Sequence, residues 1–112
     1  MPRHSLGELE LVVLLALARL GDTAYGAAIR AEIRSCTGRA VTPGAIYPTL
    51  DRLERKGFVH SYLGEPIPER GGRSRRHFVI ERSGLAELRR AWRQFAALSR
   101  GLEGLIGPGK SR

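Results

Sequence analysis

Apolar positions recur at helical intervals along the first half of the chain. Residues 5–20 are almost entirely apolar after Ser5 and Glu8, and these two polar residues have the spacing of a capping box. We predict a helix here that is buried on most of its sides. Residues 24–38 mix apolar and charged positions as a short amphipathic helix does, and Gly38 is placed to end that helix.

The third helical pattern, residues 42–57, has a strong start and a clear end. Thr42 is a good N-cap, and Pro43 occupies the first helical position, where its missing N–H costs nothing. Apolar residues then line one face of the helix, and Gly57 ends the pattern. Because Pro48 lies one turn inside, we expect the start of this helix to be kinked or tightened.

After this helix the period of the apolar positions changes to two, which is the period of a β-strand. Residues 58–63 and 76–81 each alternate in this way, so they predict the two strands of a hairpin. Their connection, residues 64–75, is long for a hairpin and dense in proline, glycine and arginine. Connections of this length are usually either functional or disordered.

The helical period returns over residues 82–106 and predicts one long helix. Steps of three and four residues form an apolar seam along it, while arginines lie off the seam. The seam consists of Leu85, Leu88, Trp92, Phe95, Ser99, Leu102 and Ile106. A single helix cannot bury such a seam by itself, so it needs a partner surface. We expect residues 107–112 to form a disordered tail.

The predicted order of elements is three helices, a strand, a loop, a strand and a final helix. This order is typical of a winged helix-turn-helix, here a mainly α fold with a small β-hairpin. In that fold the outer face of the third helix is free to enter the major groove of DNA. We therefore assign residues 1–81 to a winged helix DNA-binding domain with the wing at 58–81, and residues 82–106 to a C-terminal helix.

The charge of the chain favours a polyanionic partner. Its 112 residues include 19 Lys and Arg against 11 Asp and Glu, a formal net charge of +8, and most of the cations are arginines. Guanidinium groups suit phosphates and guanine edges, so nucleic acid is the leading partner class and an anionic membrane the weaker one. The apolar run at 11–20 is too short to cross a bilayer. Since Cys36 has no second cysteine to pair with, we expect a cytoplasmic protein.

Three motifs resemble those of PadR-type transcriptional regulators in their order and spacing. They are AYG at 24–26, GAIYPTLDRLERKG at 44–57 and RGGRSRRHF at 70–78, and the resemblance covers residues 5–95. It implies a bacterial homodimeric repressor that binds double-stranded DNA and is released by small molecules. Family members usually carry a threonine cap before the last helix, whereas this chain has Glu-Arg-Ser-Gly at 81–84.

The resemblance also gives the C-terminal seam a role. It implies a dimer interface formed by Leu85, Leu88, Trp92, Phe95, Ser99 and Leu102. Some PadR-like proteins hold flat aromatic compounds between aromatic residues of the two subunits. Trp92 and Phe95 are therefore candidate contacts of a small aromatic effector, with a place in the dimer core as the alternative for Trp92.

Candidate DNA contacts lie on the outer face of the third helix and in the wing. Small residues at the helix start would let DNA approach its N–H groups, which favour phosphate. The predicted contacts are Tyr25, Thr42, Gly44, Ala45, Tyr47, Pro48, Thr49, Arg52 and Arg55, together with Arg70, Arg73 and Arg75 of a mobile wing tip. Arg52 either contacts DNA or pairs with a neighbouring acid. Tyr47 either binds phosphate or is a half-buried structural ring, and the alternative for the wing arginines is a solvated loop.

No sequence pattern indicates catalysis or a cofactor, so we predict that the protein is not an enzyme. His60 and His77 are placed to face each other across the hairpin, but without a nearby cysteine or carboxylate they predict no metal site. The alternative function is a basic winged-helix module that binds RNA or a protein without reading DNA sequence. A peripheral membrane protein is a third hypothesis. Cys36 either senses oxidants or is a buried or inert thiol.

Overall fold

The computed structural model describes residues 6–66 and 74–108 of the chain. In chain order, the elements are α1 (Glu8–Leu20), a 3₁₀ turn (Gly21–Thr23), α2 (Gly26–Thr37), α3 (Pro43–Arg55), β1 (Val59–Pro66), β2 (Ser74–Ile80), α4 (Arg82–Ser99) and α5 (Glu103–Ile106). The two strands pair in antiparallel fashion. The predicted fold class, mainly α with a small β-hairpin, is confirmed.

Helices α1, α2 and α3 and the hairpin enclose one core. The helices contribute the buried side chains of Val13, Leu14, Leu17, Ile29, Ile33, Ile46, Leu50 and Leu53. Phe78 of β2 is also fully buried, and its N–H donates to the carbonyl of Ala24 at 2.8 Å. Because burying a side chain of this size contributes about 1.5–3 kcal/mol, the hairpin is an integral part of the unit formed with α1, α2 and α3, which we call the head.

Helix α1 begins later than the sequence pattern predicted. Its N-cap is Gly7, whose N–H donates to the carboxylate of Glu10 at 2.9 Å. The predicted capping box of Ser5 and Glu8 is therefore wrong. Glu8 is the first helical residue and pairs with Arg39 at 2.7 Å, while Ser5 lies outside the described residues. The local spacing alone cannot distinguish between two overlapping acidic candidates.

The cap and the first residue of helix α3 are as predicted. The hydroxyl of Thr42 accepts the N–H of Ala45 at 3.2 Å, and Pro43 is the first helical residue. The helix continues through Pro48 to Arg55. Gly57 then adopts a φ of 81°, a left-handed conformation that side chains disfavour, and this turn leads the chain into β1.

The hairpin strands are longer than predicted. The expected loop 64–75 is wrong at both ends, because β1 continues to Pro66 and β2 begins at Ser74. The strand register shifts between Leu63 and Pro66, so main-chain pairing extends the hairpin where the apolar alternation has already ended. The two histidines do not face each other: in the strand register, His60 is opposite Val79 and His77 is opposite Tyr62.

The predicted long C-terminal helix, 82–106, is wrong because α4 ends at Ser99 and α5 is a separate single turn. Gly101 has a φ of 88°, and its N–H donates to the carboxylate of Glu103 at 3.1 Å. Glu81 is the N-cap of α4 and its side chain makes no capping hydrogen bond. Ser83, in the first turn, donates to the carbonyl of Gly57 at 2.6 Å and so connects α4 to the head.

Candidate nucleic-acid interface

Helix α3 turns one face to solvent at the side opposite its buried residues. Gly44, Pro48, Asp51 and Arg55 are exposed on that face. The helix therefore begins with exposed residues that would let a ligand approach the backbone closely. Its first N–H groups and the positive end of its dipole favour a phosphate there. Thr42 is exposed but its hydroxyl already caps the helix.

Thr49 is not available for DNA contact, although the sequence pattern predicted it to be. Its side chain is only 1% exposed. The hydroxyl donates to the carbonyl of Ala45 at 2.8 Å and accepts a hydrogen bond from Arg52 at 3.2 Å. The prediction failed because Thr49 lies beside the core face, and a threonine that bonds within its own helix can be buried there at low cost.

Arg52 takes the alternative that the sequence left open and pairs with an acid, which is Glu10 of α1 rather than Asp51. The Arg52 Nε lies 3.3 Å from a Glu10 carboxylate oxygen, and the Nζ of Lys56 lies 3.0 Å from the same carboxylate. Half of the Arg52 side chain remains exposed, so its outer edge can still face a ligand.

The carboxylate of Glu10 is charged although it is buried. Only 5% of the residue is exposed, and burial by itself would raise its pKa. The N–H of Gly7, the ammonium of Lys56 and the guanidinium of Arg52 outweigh that effect and hold the pKa below its ordinary value. Glu10 therefore joins the start of α1 to the end of α3 as an anion.

Tyr47 is both packed and accessible. A Cβ at Gly26 would come within 2.7 Å of the Tyr47 ring carbon Cε1, so the ring lies directly on the first residue of α2. The residue is nevertheless 44% exposed. The structural role that the sequence proposed for this ring is therefore present, and enough of the residue is exposed for a phosphate contact as well.

The wing meets α2 in a stack of rings around Tyr25. The guanidinium carbon of Arg75 lies 4.1 Å from the centre of the Tyr25 ring. His77 contacts that ring edge-on at 5.6 Å and stacks on Tyr62 at 5.2 Å. Arg75 is thus part of β2 and held by a cation–π contact, which corrects its predicted place in a mobile wing tip. Arg70 and Arg73, predicted for the same tip, lie outside the described residues.

Arg76, the next residue of β2, contacts α3. Its Nη2 lies 2.7 Å from Glu54 Oε1, and its Nη1 lies 3.6 Å from Asp51 Oδ1. Its Nε donates to the hydroxyl of Ser61 at 3.1 Å. The hydroxyl in turn donates to Glu54 at 2.9 Å, so β1, β2 and α3 meet in one polar cluster.

The C-terminal seam divides into two parts. Leu85 and Leu88 are half-buried, and Leu88 packs against the core of the head. Beyond them the apolar side chains are exposed, at 74% for Trp92, 68% for Phe95 and 80% for Leu98. We call these three residues the α4 apolar patch. The predicted seam did not include Leu98, although its position three residues after Phe95 would have identified it.

The predicted effector residues contribute unequally to the surface near α1. A groove of about 240 Å³ is lined by Leu6, Leu11, Glu87, Arg90, Ala91, Gln94, Phe95 and Leu98. Phe95 therefore lines this groove, whereas Trp92 is not part of its lining. Ser99, the last residue of α4, is half-buried, and Leu102, which lies between α4 and α5, is 42% exposed.

The thiol of Cys36 is exposed rather than buried, and it donates to the carboxylate of Glu32 at 3.5 Å. A hydrogen bond from Arg19, at 2.6 Å, lowers the pKa of Glu32. His60 does have a carboxylate neighbour, since its Nδ1 lies 2.6 Å from Glu81. Among the described residues, no three His, Cys, Asp or Glu side chains are grouped closely enough to hold a metal ion.

No helix within residues 6–66 and 74–108 combines the length and the apolar character that crossing a membrane requires. A search among curated proteins found no match. Solved structures share the fold. A transcriptional regulator from Clostridium thermocellum is 23% identical, with a TM-score of 0.69, over 88% of this chain and 92% of that one.

Two further solved structures are of PadR-like proteins. A PadR-like transcriptional regulator from Bacillus cereus is 21% identical, with a TM-score of 0.70, over 90% of this chain and 93% of that one. A PadR-like transcription factor from Bacteroides fragilis is 20% identical, with a TM-score of 0.71, over 88% and 89%. The model of the transcriptional regulator PadR-like family matches residues 13–90, well over half of the chain. The protein therefore belongs to the PadR-like family of transcriptional regulators.

Proposed function

We propose that this protein is a sequence-specific DNA-binding regulator that represses transcription as a homodimer on a palindromic operator. The observation that carries the proposal is the exposed face of α3, which begins with Gly44 and Pro48. On the same helix Tyr47 lies against Gly26, the residue that follows Tyr25, and the Tyr25 ring holds Arg75 of β2. A helix start and a cationic wing thus lie on neighbouring elements of a chain with a net charge of +8. Together they match what a major groove and its flanking phosphates require.

The proposed contacts are the predicted residues that the structure leaves at least partly exposed, together with Arg70 and Arg73, which lie outside the described residues. Helix α3 contributes Thr42, Gly44, Ala45, Tyr47, Pro48 and Arg55, while Tyr25, Arg70, Arg73 and Arg75 contact the DNA backbone from the wing side. Arg52 contacts DNA with the edge that Glu10 leaves exposed. Thr49 is omitted because it is buried. Backbone contacts of this kind position the protein, and base-edge contacts from α3 then give specificity.

The proposed dimer uses the C-terminal region. Residues 1–81 form the DNA-binding domain and residues 82–106 the dimerisation region, in which the α4 apolar patch and Leu102 pack against a second copy. Large exposed apolar side chains grouped in this way are typical of an interface. Leu85, Leu88 and Ser99 support the interface from its half-buried edge. The dimer would place two α3 helices in successive major grooves about 34 Å apart.

The proposed effector is a small, flat aromatic compound at the dimer interface. Phe95 lines the groove next to α1, and Trp92, which is exposed on the same helix, would supply a second ring from either subunit. Stacking against aromatic side chains is favourable for such a compound. Its binding would change how the two α4 helices pack and thereby the spacing of the two DNA-contacting surfaces.

Selection from random duplex DNA tests the proposal. The purified protein is equilibrated with a random-sequence library, and the retained duplexes are sequenced. We expect a palindrome with half-sites about one helical turn apart, bound at least about 10³-fold better than random DNA. Recovery of no motif, together with equal binding of structured RNA, would instead favour the basic module with no sequence preference. Light scattering checks the dimer, since one chain has a mass of 12.3 kDa.

A further inference from the structure

A polar cluster joins the wing to α3 on the side where DNA is proposed to bind. Its centre is Arg76 of β2, which contacts Glu54 at 2.7 Å, Asp51 at 3.6 Å and the Ser61 hydroxyl at 3.1 Å. The guanidinium also lies over the ring of the buried Phe78 at 5.0 Å. Arg76 is thus held from several directions by groups on three elements.

The two acids of this cluster would weaken DNA binding if charge alone mattered. Asp51 and Glu54 lie on α3, and their side chains are 50% and 33% exposed. A carboxylate near the DNA-contacting side repels phosphate. In this structure each one instead faces Arg76, which both neutralises it and connects it to the wing.

We propose that Arg76, Glu54 and Ser61 act as positioning residues that hold the wing at one angle against α3. The helix and the wing would then meet the duplex as one preformed surface, which avoids the entropic cost of ordering the wing during binding. This inference rests on the proposed function, because it concerns the same DNA-contacting surface. We call the three residues the wing latch.

The Glu54→Gln variant gives a test in which latch and charge predict opposite signs. Removing a negative charge near DNA should strengthen binding, whereas breaking the latch should weaken it. We expect Glu54→Gln to bind the selected duplex about two- to fivefold more weakly, the range that a partly exposed ion pair contributes. Glu8→Gln is the matched control, since Glu8 also forms an exposed ion pair with an arginine, at 2.7 Å, but lies on α1. It should not weaken binding.

Two further variants separate positioning from direct phosphate contact. Arg76→Ala should weaken binding as Glu54→Gln does, and the double variant should be no weaker than Arg76→Ala alone. Ser61→Ala, which changes no charge, should show a smaller loss in the same direction. The slope of log affinity against log salt should stay unchanged in Arg76→Ala, because a latch residue neutralises no phosphate.

The proposal is overturned if Glu54→Gln binds as tightly as the unaltered protein or more tightly. It is also overturned if Arg76→Ala lowers the salt slope by about one, since Arg76 would then be a phosphate contact. Thermal unfolding of each variant shows that binding is measured on folded protein. If the unaltered protein itself selects no duplex, the failure is that of the proposed function, and it is visible before any latch variant is made.

Discussion

The inner and outer sides of α3 differ in how far their side chains are already used within the protein. On the inner side, Ile46 and Leu50 are fully buried and Thr49 is hydrogen-bonded within the helix. On the outer side, Gly44 and Pro48 are exposed, and a Cβ at Gly44 would have only the Thr42 hydroxyl near it, at 3.8 Å. The residues that stabilise the fold and the residues proposed to contact DNA therefore lie on opposite sides of one helix, so single substitutions can separate the two roles.

The largest effect is expected on the inner side, with Leu50→Ala. This substitution removes a fully buried side chain from the core and leaves a cavity. We expect the free energy of unfolding to fall by about 2–5 kcal/mol, measured by urea denaturation. Arg55→Ala on the exposed side is the control and should change stability by less than about 0.5 kcal/mol. Equal losses for the two variants would contradict the division between the sides.

The Gly26→Ala variant tests the flank of α3, where Tyr47 packs against the first residue of α2. The added methyl group would collide with the Tyr47 ring, which lies within 2.7 Å of the ideal Cβ position. We expect a loss of about 1–3 kcal/mol in stability as the ring or α2 shifts. In Gly104→Ala, by contrast, the new Cβ meets nothing within 4 Å. A Gly26→Ala variant as stable as the unaltered protein would show that the ring moves away freely.

The Glu10→Gln variant and a change of pH test the ion pairs that join α1 to the end of α3 through Arg52 and Lys56. Because the pKa of Glu10 is lowered from its ordinary value of 4.5, its contribution to stability is present above that value and is lost as pH falls through the lowered pKa. We expect Glu10→Gln to be about 1–2 kcal/mol less stable at pH 7. The stabilities of the two proteins should converge as the pH falls below 4.5 and through the lowered pKa. A difference that stays constant with pH would exclude this charged role for Glu10.

Among the four predicted changes in stability, controls apart, the smallest is expected on the outer side, with Gly44→Ala. Alanine favours a helix over glycine by about 0.5–1 kcal/mol, and the new methyl group meets no steric barrier within the protein. The fold should therefore become slightly more stable. DNA binding should nevertheless weaken, because the methyl group would project from the face that is proposed to approach the duplex. Unchanged affinity for the selected duplex would move the proposed contact away from the start of α3.

The distance along the chain between interacting residues explains which sequence-based predictions were confirmed. The buried residues of α3 and its Thr42 cap were predicted correctly because they depend on spacing within a few residues. The roles of the arginines could not be predicted in this way. Arg52 pairs with a residue 42 positions away, and Arg76 with one 22 positions away. Contacts over such separations follow from packing and not from a local pattern.

The C-terminal region shows a different limit. The apolar steps of the seam continued across Gly101, so one helix was predicted where two are present. The glycine was visible in the sequence, but periodicity outweighed it. The residues of the wing tip, Arg70 and Arg73, stay as predictions from charge and family resemblance.

The sequence by itself determined the order of the helices and strands, the apolar faces that form the core and the positive charge that favours DNA. Those properties depend on local periods, caps and composition, which neighbouring residues specify. Only the tertiary structure decided which charged groups meet: Glu10 with Arg52 and Lys56, and Arg76 with Glu54. A side chain's electrostatic partner depends on distances between elements far apart in sequence, and these distances exist only after the core has packed.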